Sequence, residues 1–244
     1  AIANERVFAV GNVEGSDKVY CFNINDGAEE WSFSYECPLG KRMFEGGPAA
    51  TPTIDPLHGR MYVLSHQGEL RCLDIHNGVE RWMIHYVRDL GGSRPQYGFS
   101  GAPLLAGDTL VVQPGGDGNS VIALDPGSGE KKWGTGSDGS SYAAPISFEH
   151  GGMHMLASFN SYGLAVYGLS GGDEVARMRW KTRYEINAAT PCYFAGHVFI
   201  ASGYGKGAGL VALNGSGGEL IYETREVVCQ FQSPVRSGRY IYVV

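Results

Sequence analysis

An eleven-residue segment recurs along this chain, and it constrains the fold more than any other feature. Three copies align without a gap: residues 21–31, 72–82 and 123–133. In each copy an Asn or Asp anchor (Asn23, Asp74 or Asp125) is followed by glycine four residues later and by tryptophan eight residues later. Self-similarity at a fixed period is the signature of repeat architectures, so one supersecondary unit is predicted to recur along the chain.

Two further copies depart from this pattern. Residues 212–222 keep the anchor and the glycine but place Tyr222 where tryptophan stands elsewhere. The copy that begins at Tyr167 reaches Trp180 four residues late, which we interpret as a four-residue insertion. A small or hydroxyl residue followed by proline precedes every copy after the first, and one more follows the last copy. These prolines recur with a mean period of about 46 residues: Pro52, Pro103, Pro145, Pro191 and Pro234.

One period contains four short strands. Apolar runs at 52–54, 60–64, 69–73 and 79–83 are separated by turn residues. The anchor can accept hydrogen bonds from turn N–H groups, and the glycine at +4 can adopt positive φ, so the motif is predicted to be the hairpin turn between strands three and four. Four antiparallel strands in every period predict an all-β fold, a β-propeller of four-stranded blades with the tryptophans covering the seams between them.

Composition narrows the function. The chain has 37 glycines in 244 residues, 43% hydrophobic and 11% aromatic residues, which indicates a folded, turn-rich protein. Its net charge is -6, with no basic stripe, so a nucleic-acid or anionic-membrane partner is not predicted. No apolar run reaches the ~18 to 20 residues of a membrane-spanning helix, so no transmembrane segment is predicted.

The repeat resembles a known family. Segments of the form A-x-D-x-x-T-G-x-x-x-W, one per four-stranded blade, are the hallmark of the PQQ-like (quinoprotein-type) β-propeller, and the chain is similar to that family over essentially its whole length. The copies that end at Trp31, Trp82 and Trp133 carry the resemblance. Four further segments are similar, more narrowly, to PQQ-like repeat proteins of the bacterial cell envelope: residues 112–116, 141–145, 187–191 and 202–207.

The repeat divides residues 1–244 into the blades of a single propeller domain. They are a partial blade at 1–35, which is predicted to lack its first strand, complete blades at 49–86, 100–137, 142–185 and 188–225, and a partial blade at 232–244. The family resemblance implies rings of seven or eight blades. We therefore expect an open arc of about five to six, truncated at both ends and poorly soluble by itself, because open arcs expose strand edges.

Candidate binding residues lie where the repeat is interrupted. Tryptophans and anchors recur in every blade and are assigned to architecture, whereas the rim opposite the anchor turns carries long polar and aromatic loops. Nine rim residues are candidates for binding a ligand or a partner: His66, Arg94, Tyr97, Asp117, Tyr142, Arg183, Asn187, Tyr204 and Lys206. Arg42 lies in the same loops. The alternative is a solvated rim that packs only against itself.

The remaining motifs favour structural roles. Residues 203–209 are glycine-rich but precede a strand rather than a helix, so a tight turn is predicted instead of a phosphate loop. His150 and His154 flank Gly151-Gly152, which excludes a zinc helix. The five cysteines form no CxxC motif or adjacent pair, so free thiols and no metal site are predicted.

The resemblance implies two functions. The first is a non-catalytic propeller of the bacterial periplasm or cell envelope that binds a small-molecule ligand or a protein at its rim, similar in architecture to the propeller lipoprotein of outer-membrane assembly. The alternative is a PQQ- and calcium-dependent alcohol or sugar dehydrogenase, in which the quinone accepts a hydride. Such enzymes carry an adjacent cysteine pair, a Glu, an Asn and a catalytic Asp, and none maps onto a matching motif here. The first function is therefore favoured, with no catalytic residue and no cofactor assigned.

Overall fold

The computed structural model describes residues 1–40, 47–215 and 217–243, and strands dominate it. Five four-stranded sheets and one two-stranded sheet follow one another along the chain, each an antiparallel meander in sequence order. Sheet 1 contains β1 (Ile2–Ala3), β2 (Arg6–Val13), β3 (Ser16–Asn23) and β4 (Glu29–Glu36). Sheet 2 contains β5 (Thr53–Asp55), β6 (Arg60–Leu64), β7 (Glu69–Asp74) and β8 (Glu80–His85). Sheet 3 contains β9 (Leu104–Ala106), β10 (Thr109–Val112), β11 (Val121–Leu124) and β12 (Lys131–Thr135).

The later sheets repeat this pattern. Sheet 4 contains β13 (Ile146–His150), β14 (Met153–Phe159), β15 (Gly163–Gly168) and β16 (Glu174–Arg179). Sheet 5 contains β17 (Cys192–Phe194), β18 (His197–Ser202), β19 (Gly207–Asn214) and β20 (Gly217–Thr224), and sheet 6 contains β21 (Val235–Ser237) and β22 (Tyr240–Tyr242). Among the described residues, the helical element is a single 3-10 turn (Arg183–Glu185). No helix of the described residues is long and apolar enough to cross a bilayer.

The anchor turns have the predicted chemistry. The carboxylate of Asp125 accepts hydrogen bonds from the N–H groups of Gly127 and Ser128 at 2.8 and 2.9 Å. Gly129, four residues after the anchor, adopts φ +77° and donates its N–H to the Asp125 carbonyl. An L-residue with a Cβ disfavours this left-handed conformation, which explains the glycine at that position of the repeat.

The prediction that the first blade lacks its first strand is wrong. The two-residue strand β1 pairs with β2, with Ile2 opposite Val7 and Ala3 opposite Arg6. Asn4 and Glu5 connect the two strands with φ of 50° and 60°. Two consecutive positive φ values are typical of a tight hairpin, and Asn-Glu lacks the Asn-Gly signal that would reveal this turn in a sequence.

Two predictions about the tryptophan position are corrected. Trp31, Trp82 and Trp133 lie opposite Cys21, Cys72 and Ala123, as equivalent members of the repeat. In sheet 4, however, Ala176 lies opposite Val166 and takes the tryptophan position of the repeat. The turn therefore has no insertion, and Trp180 is not a member of the repeated tryptophan series. In sheet 5, Asn214 already pairs with Gly217, and this shorter turn moves Tyr222 opposite Leu210.

The hydrophobic core lies between the sheets. Five clusters fill the five seams between consecutive sheets, such as Trp180, Phe159 and Ile200 between sheets 4 and 5. Central strands are therefore covered on both faces, and all four residues of β10 and of β11 are buried. Because both faces of these strands are buried, their sequences are continuous apolar runs and do not alternate between apolar and polar residues.

The sheets stack as successive blades and do not close over the described residues. The first strands β5, β9 and β13 approach one another, and they form the inner edge. The antiparallel meander places the anchor turns on one edge, here named the turn rim. The connections from strand 2 to strand 3 and from strand 4 to the next sheet lie on the opposite edge, the loop rim.

Candidate functional site

A groove on the loop rim is the candidate binding site. Three consecutive inter-sheet connections converge there, and they enclose a cavity of about 210 Å³. It is lined by Ser93, Arg94, Pro95 and Gln96 from the first connection, Gly139, Ser140 and Tyr142 from the second, and Tyr184 and Glu185 from the third. We name these nine residues the rim groove. Of the predicted rim residues, Arg94 and Tyr142 line it directly.

Two hydrogen bonds hold Tyr142 in the lining of the rim groove. Its N–H donates to the carbonyl of Asn187 at 3.1 Å. Its hydroxyl accepts the N–H of Tyr97 at 3.3 Å, and the two rings lie 6.1 Å apart. Burial raises the pKa of the Tyr142 phenol, so the group stays neutral and can both donate and accept hydrogen bonds. Tyr142 therefore presents a positioned aromatic face and hydroxyl.

Tyr184 and Tyr204 extend the aromatic surface in strained conformations. Their φ angles are 63° and 55°, and Glu185 follows with 58°. Bulky residues rarely adopt positive φ, and such outliers cluster at functional sites. The rings of Tyr184 and Tyr204 meet edge to face at 6.0 Å, and both side chains are exposed. The backbone thus holds two aromatic rings toward solvent beside the cavity.

The charges at the groove favour an anionic group in a bound molecule. The exposed Arg94 lines the cavity, and its Nε donates to the carbonyl of His66 at 3.4 Å. Arg183 lies over the Tyr184 ring, with its guanidinium carbon 4.8 Å from the centroid. Glu185 is the single carboxylate of the lining. Two guanidinium groups beside tyrosine rings offer both hydrogen-bond donors and apolar contact area.

Four predicted rim residues lie away from this groove or are used in other contacts. His66 and Asn187 are buried. Asp117 is exposed and accepts a hydrogen bond from the Ser137 hydroxyl at 2.7 Å. Lys206 pairs with Glu223 at 2.6 Å and lies 3.8 Å from the Trp180 ring centroid. Arg42 lies outside the described residues.

Asn187 supports the groove from beneath. Its side-chain oxygen accepts the Ser202 hydroxyl at 2.9 Å, and its amide donates to the Asn160 carbonyl at 2.8 Å. Ser202 in turn accepts the Trp180 indole N–H at 3.1 Å. The backbone carbonyl of Asn187 accepts the N–H of Tyr142, so this buried network connects the core to the rim groove.

Sequence reasoning missed a second group on the loop rim. Asp17 at the start of β3, Cys37 after β4 and His66 between β6 and β7 are all buried, and their ligand atoms lie within 4.8 Å of one another. Burial raises the pKa of the Cys37 thiol to about 12 and lowers that of His66. Separations of 20 and 29 residues form no local motif, although each position falls at the loop-rim end of its sheet.

The cysteines otherwise follow the sequence analysis. Cys21 and Cys72 are buried free thiols in the seams, as their small-residue position in the repeat predicts. Cys192 is a free thiol that packs against the cluster containing Cys229.

The described residues bring together no group of three or more carboxylates that would suit a calcium ion. Calcium takes six to eight oxygen ligands, with carboxylates prominent among them. Within the described part of the chain, one group of three acidic, His or Cys side chains has its ligand atoms close together. It contains one carboxylate, one thiol and one imidazole. Sulfur and nitrogen donors suit a softer ion than calcium.

The repeat and the fold define the class of protein: a PQQ-like β-propeller of four-stranded blades, whose described sheets form a partial ring. The family described as outer membrane protein assembly factor BamB matches residues 16–244. The chain belongs to that family. The comparison with curated proteins finds no match.

Solved structures share the fold. BamB from Moraxella catarrhalis is 21% identical with a TM-score of 0.65, and the match covers 96% of this chain and 66% of that one. A europium-containing methanol dehydrogenase is 11% identical with a TM-score of 0.61, covering 90% and 49%. A quinohemoprotein alcohol dehydrogenase from Comamonas testosteroni is 12% identical with a TM-score of 0.54, covering 90% and 43%. The chain spans less than two thirds of the length of these proteins.

Proposed function

We propose that this chain is a non-catalytic scaffold of the bacterial cell envelope that binds an extended segment of a partner protein in the rim groove. The observation that carries the proposal is the pair of tyrosines, Tyr184 and Tyr204, held at positive φ with their rings exposed beside a positioned Tyr142. Strain of this kind persists where the surrounding structure maintains it, and aromatic residues dominate the energetics of protein interfaces.

The chemistry of the groove specifies the kind of segment. Arg94 and Arg183 provide guanidinium donors that match a carboxylate, and the tyrosines provide flat contact area. A cavity of about 210 Å³ accommodates one or two side chains rather than a folded domain. The expected ligand is a peptide that combines an acidic residue with an aromatic or aliphatic one. The family description supports a protein partner and an envelope location.

Selection from a random peptide library on the purified chain tests this proposal. Wild type should enrich peptides that pair acidic with apolar residues, and a counter-selection on the Arg94→Ala, Tyr142→Ala double variant should remove them. Lys132→Ala is the matched control, because Lys132 is a charged residue on the turn rim beside Asp108. No enrichment, or peptides that bind the double variant as well as wild type, would contradict the proposal.

The dehydrogenase remains the second candidate through its shared fold, and it has its own test. Purified chain is mixed with PQQ and calcium, and bound chromophore is measured after gel filtration. The scaffold proposal predicts that no quinone absorbance elutes with the protein. Stoichiometric bound quinone would instead support the dehydrogenase.

A further inference from the structure

The structure brings together three metal-binding side chains that the proposed function does not use. We propose that Asp17, Cys37 and His66 form a zinc site that ties sheet 1 to sheet 2 at the loop rim. Asp17 and Cys37 come from sheet 1, and His66 comes from the β6–β7 turn of sheet 2. All three are buried, with 0%, 1% and 4% of their surface exposed.

The spacing of the ligand atoms fits a tetrahedral ion. Cys37 Sγ lies 3.4 Å from His66 Nδ1. Bonds of about 2.3 Å to sulfur and about 2.0 Å to nitrogen separate two tetrahedral ligands by about 3.5 Å. The Asp17 carboxylate completes a set within 4.8 Å. A thiolate, an imidazole and a carboxylate are the three ligand types that zinc takes, and a water would complete the tetrahedron.

The charge around Asp17 also favours a cation. Asn12 Nδ2 donates to its Oδ1 at 2.8 Å and the Tyr35 hydroxyl donates to its Oδ2 at 3.3 Å, both neutral groups. Among the described residues, this fully buried carboxylate forms no ion pair with a lysine or an arginine, and the nearby imidazole is that of His66, a member of the group itself. A buried carboxylate whose hydrogen-bond partners are all neutral carries an uncompensated charge, and a divalent ion between it and the thiolate offsets that cost.

The surrounding contacts orient the ligands. Asn12 Nδ2 also donates to the Cys37 carbonyl at 2.8 Å, so one amide positions two of the three residues. The His66 carbonyl accepts the Phe99 N–H at 2.9 Å, which fixes the turn that carries the imidazole. A hydrogen bond to a ligating carboxylate, such as that from Asn12 to Asp17 Oδ1, is typical of metal sites. A reactive-cysteine role is disfavoured, because nucleophilic thiols need solvent access and a lowered pKa.

Cobalt substitution tests this site independently of any peptide partner. The full chain is purified, stripped with EDTA and titrated with Co²⁺, whose thiolate complexes absorb in the near ultraviolet. Wild type should show this charge-transfer band, and stoichiometric Zn²⁺ should abolish it. Cys37→Ser should remove the band and lower Zn²⁺ affinity by more than about 100-fold, because loss of a direct ligand costs more than the ~10- to 100-fold that loss of an outer hydrogen-bond partner costs. Cys72→Ser is the matched control, since Cys72 is equally buried outside the group.

Folding of the variants is checked by thermal unfolding without metal. Should Cys37→Ser fail to fold, X-ray absorption of zinc-loaded wild type replaces it, with one sulfur and three nitrogen or oxygen neighbours expected. Absence of the cobalt band in wild type, its retention in a folded Cys37→Ser variant, or zinc without a sulfur neighbour would overturn the assignment.

Discussion

The indole ring of Trp31 in the first blade lies directly against Gly78 in the second. A Cβ built on Gly78 would lie 2.5 Å from Trp31 Cε3, and the indole N–H donates to the neighbouring Ile75 carbonyl at 3.1 Å. The same contact joins Trp82 to Gly129 and Trp133 to Gly172. The tryptophan at +8 of one blade therefore packs on the glycine at +4 of the next, and the two positions of the repeat form a contact between blades.

The contact predicts that Gly78→Ala destabilises the fold more than the same change elsewhere. Gly27 is the control, because it has the same φ of +72° in the equivalent turn but nothing within 4 Å of its added Cβ. Both variants incur the cost of positive φ, whereas Gly78→Ala also overpacks against Trp31, at an additional ~1 to 3 kcal/mol. Urea unfolding of the two variants measures the difference, and equal losses would show that φ alone requires the glycine.

Trp82→Ala is predicted to lower the free energy of unfolding by about 3 kcal/mol. The change removes a ring between sheets 2 and 3 and the hydrogen bond from its indole to the Pro126 carbonyl at 3.3 Å. Arg94→Ala, on the exposed rim, should stay within about 0.5 kcal/mol of wild type. Thermal unfolding compares them. Similar shifts for the two variants would mean that the architectural and rim residues were assigned wrongly.

Asp125 makes stability dependent on pH. The N–H donors of Ser128 and Gly127 lower the pKa of its carboxyl, so ionised Asp125 favours the folded state. That contribution is present above the unfolded pKa of about 3.9 and is lost as pH falls through the lower folded pKa. Asp125→Asn removes the charge but keeps a side-chain oxygen that accepts hydrogen bonds. Asn23 shows this in the equivalent turn, where its Oδ1 accepts the N–H of Asn25 at 2.9 Å.

The Asn variant should therefore be less stable than wild type near pH 6, and the difference should disappear near pH 2. Thermal midpoints of both proteins across this range provide the measurement. A difference that stays constant with pH would show that ionisation of Asp125 does not contribute.

The repeat in the sequence specifies most of the fold but little of the site. Spacing from the anchor locates β7, β8, β11 and β12, because the turn chemistry of Asp74 and Asp125 is local. Ala176 at the tryptophan position was not predictable, since only strand register shows which residue faces Val166. The groove and the Asp17, Cys37 and His66 group depend on contacts between different blades, which spacing along one chain does not reveal.

Tyr184→Asn separates binding from stability. Asn adopts positive φ more readily than Tyr, so the variant should retain its free energy of unfolding or gain up to about 1 kcal/mol. It loses an exposed ring of the rim groove, so binding of a selected peptide should weaken. Chemical denaturation and peptide titration test both parts. A destabilised variant with unchanged peptide affinity would show that Tyr184 serves the fold instead.

The dissociation constant of a selected peptide on three versions of the chain tests the central claim most directly. Tyr142→Ala removes a ring that lines the rim groove, and Tyr222→Ala removes a more exposed ring on β20, outside it. Calorimetric titration should show about 30-fold weaker binding for Tyr142→Ala, as expected for an interface residue worth about 2 kcal/mol, and wild-type binding for Tyr222→Ala. Equal affinity of wild type and a folded Tyr142→Ala variant would contradict the assignment of the rim groove as the binding site.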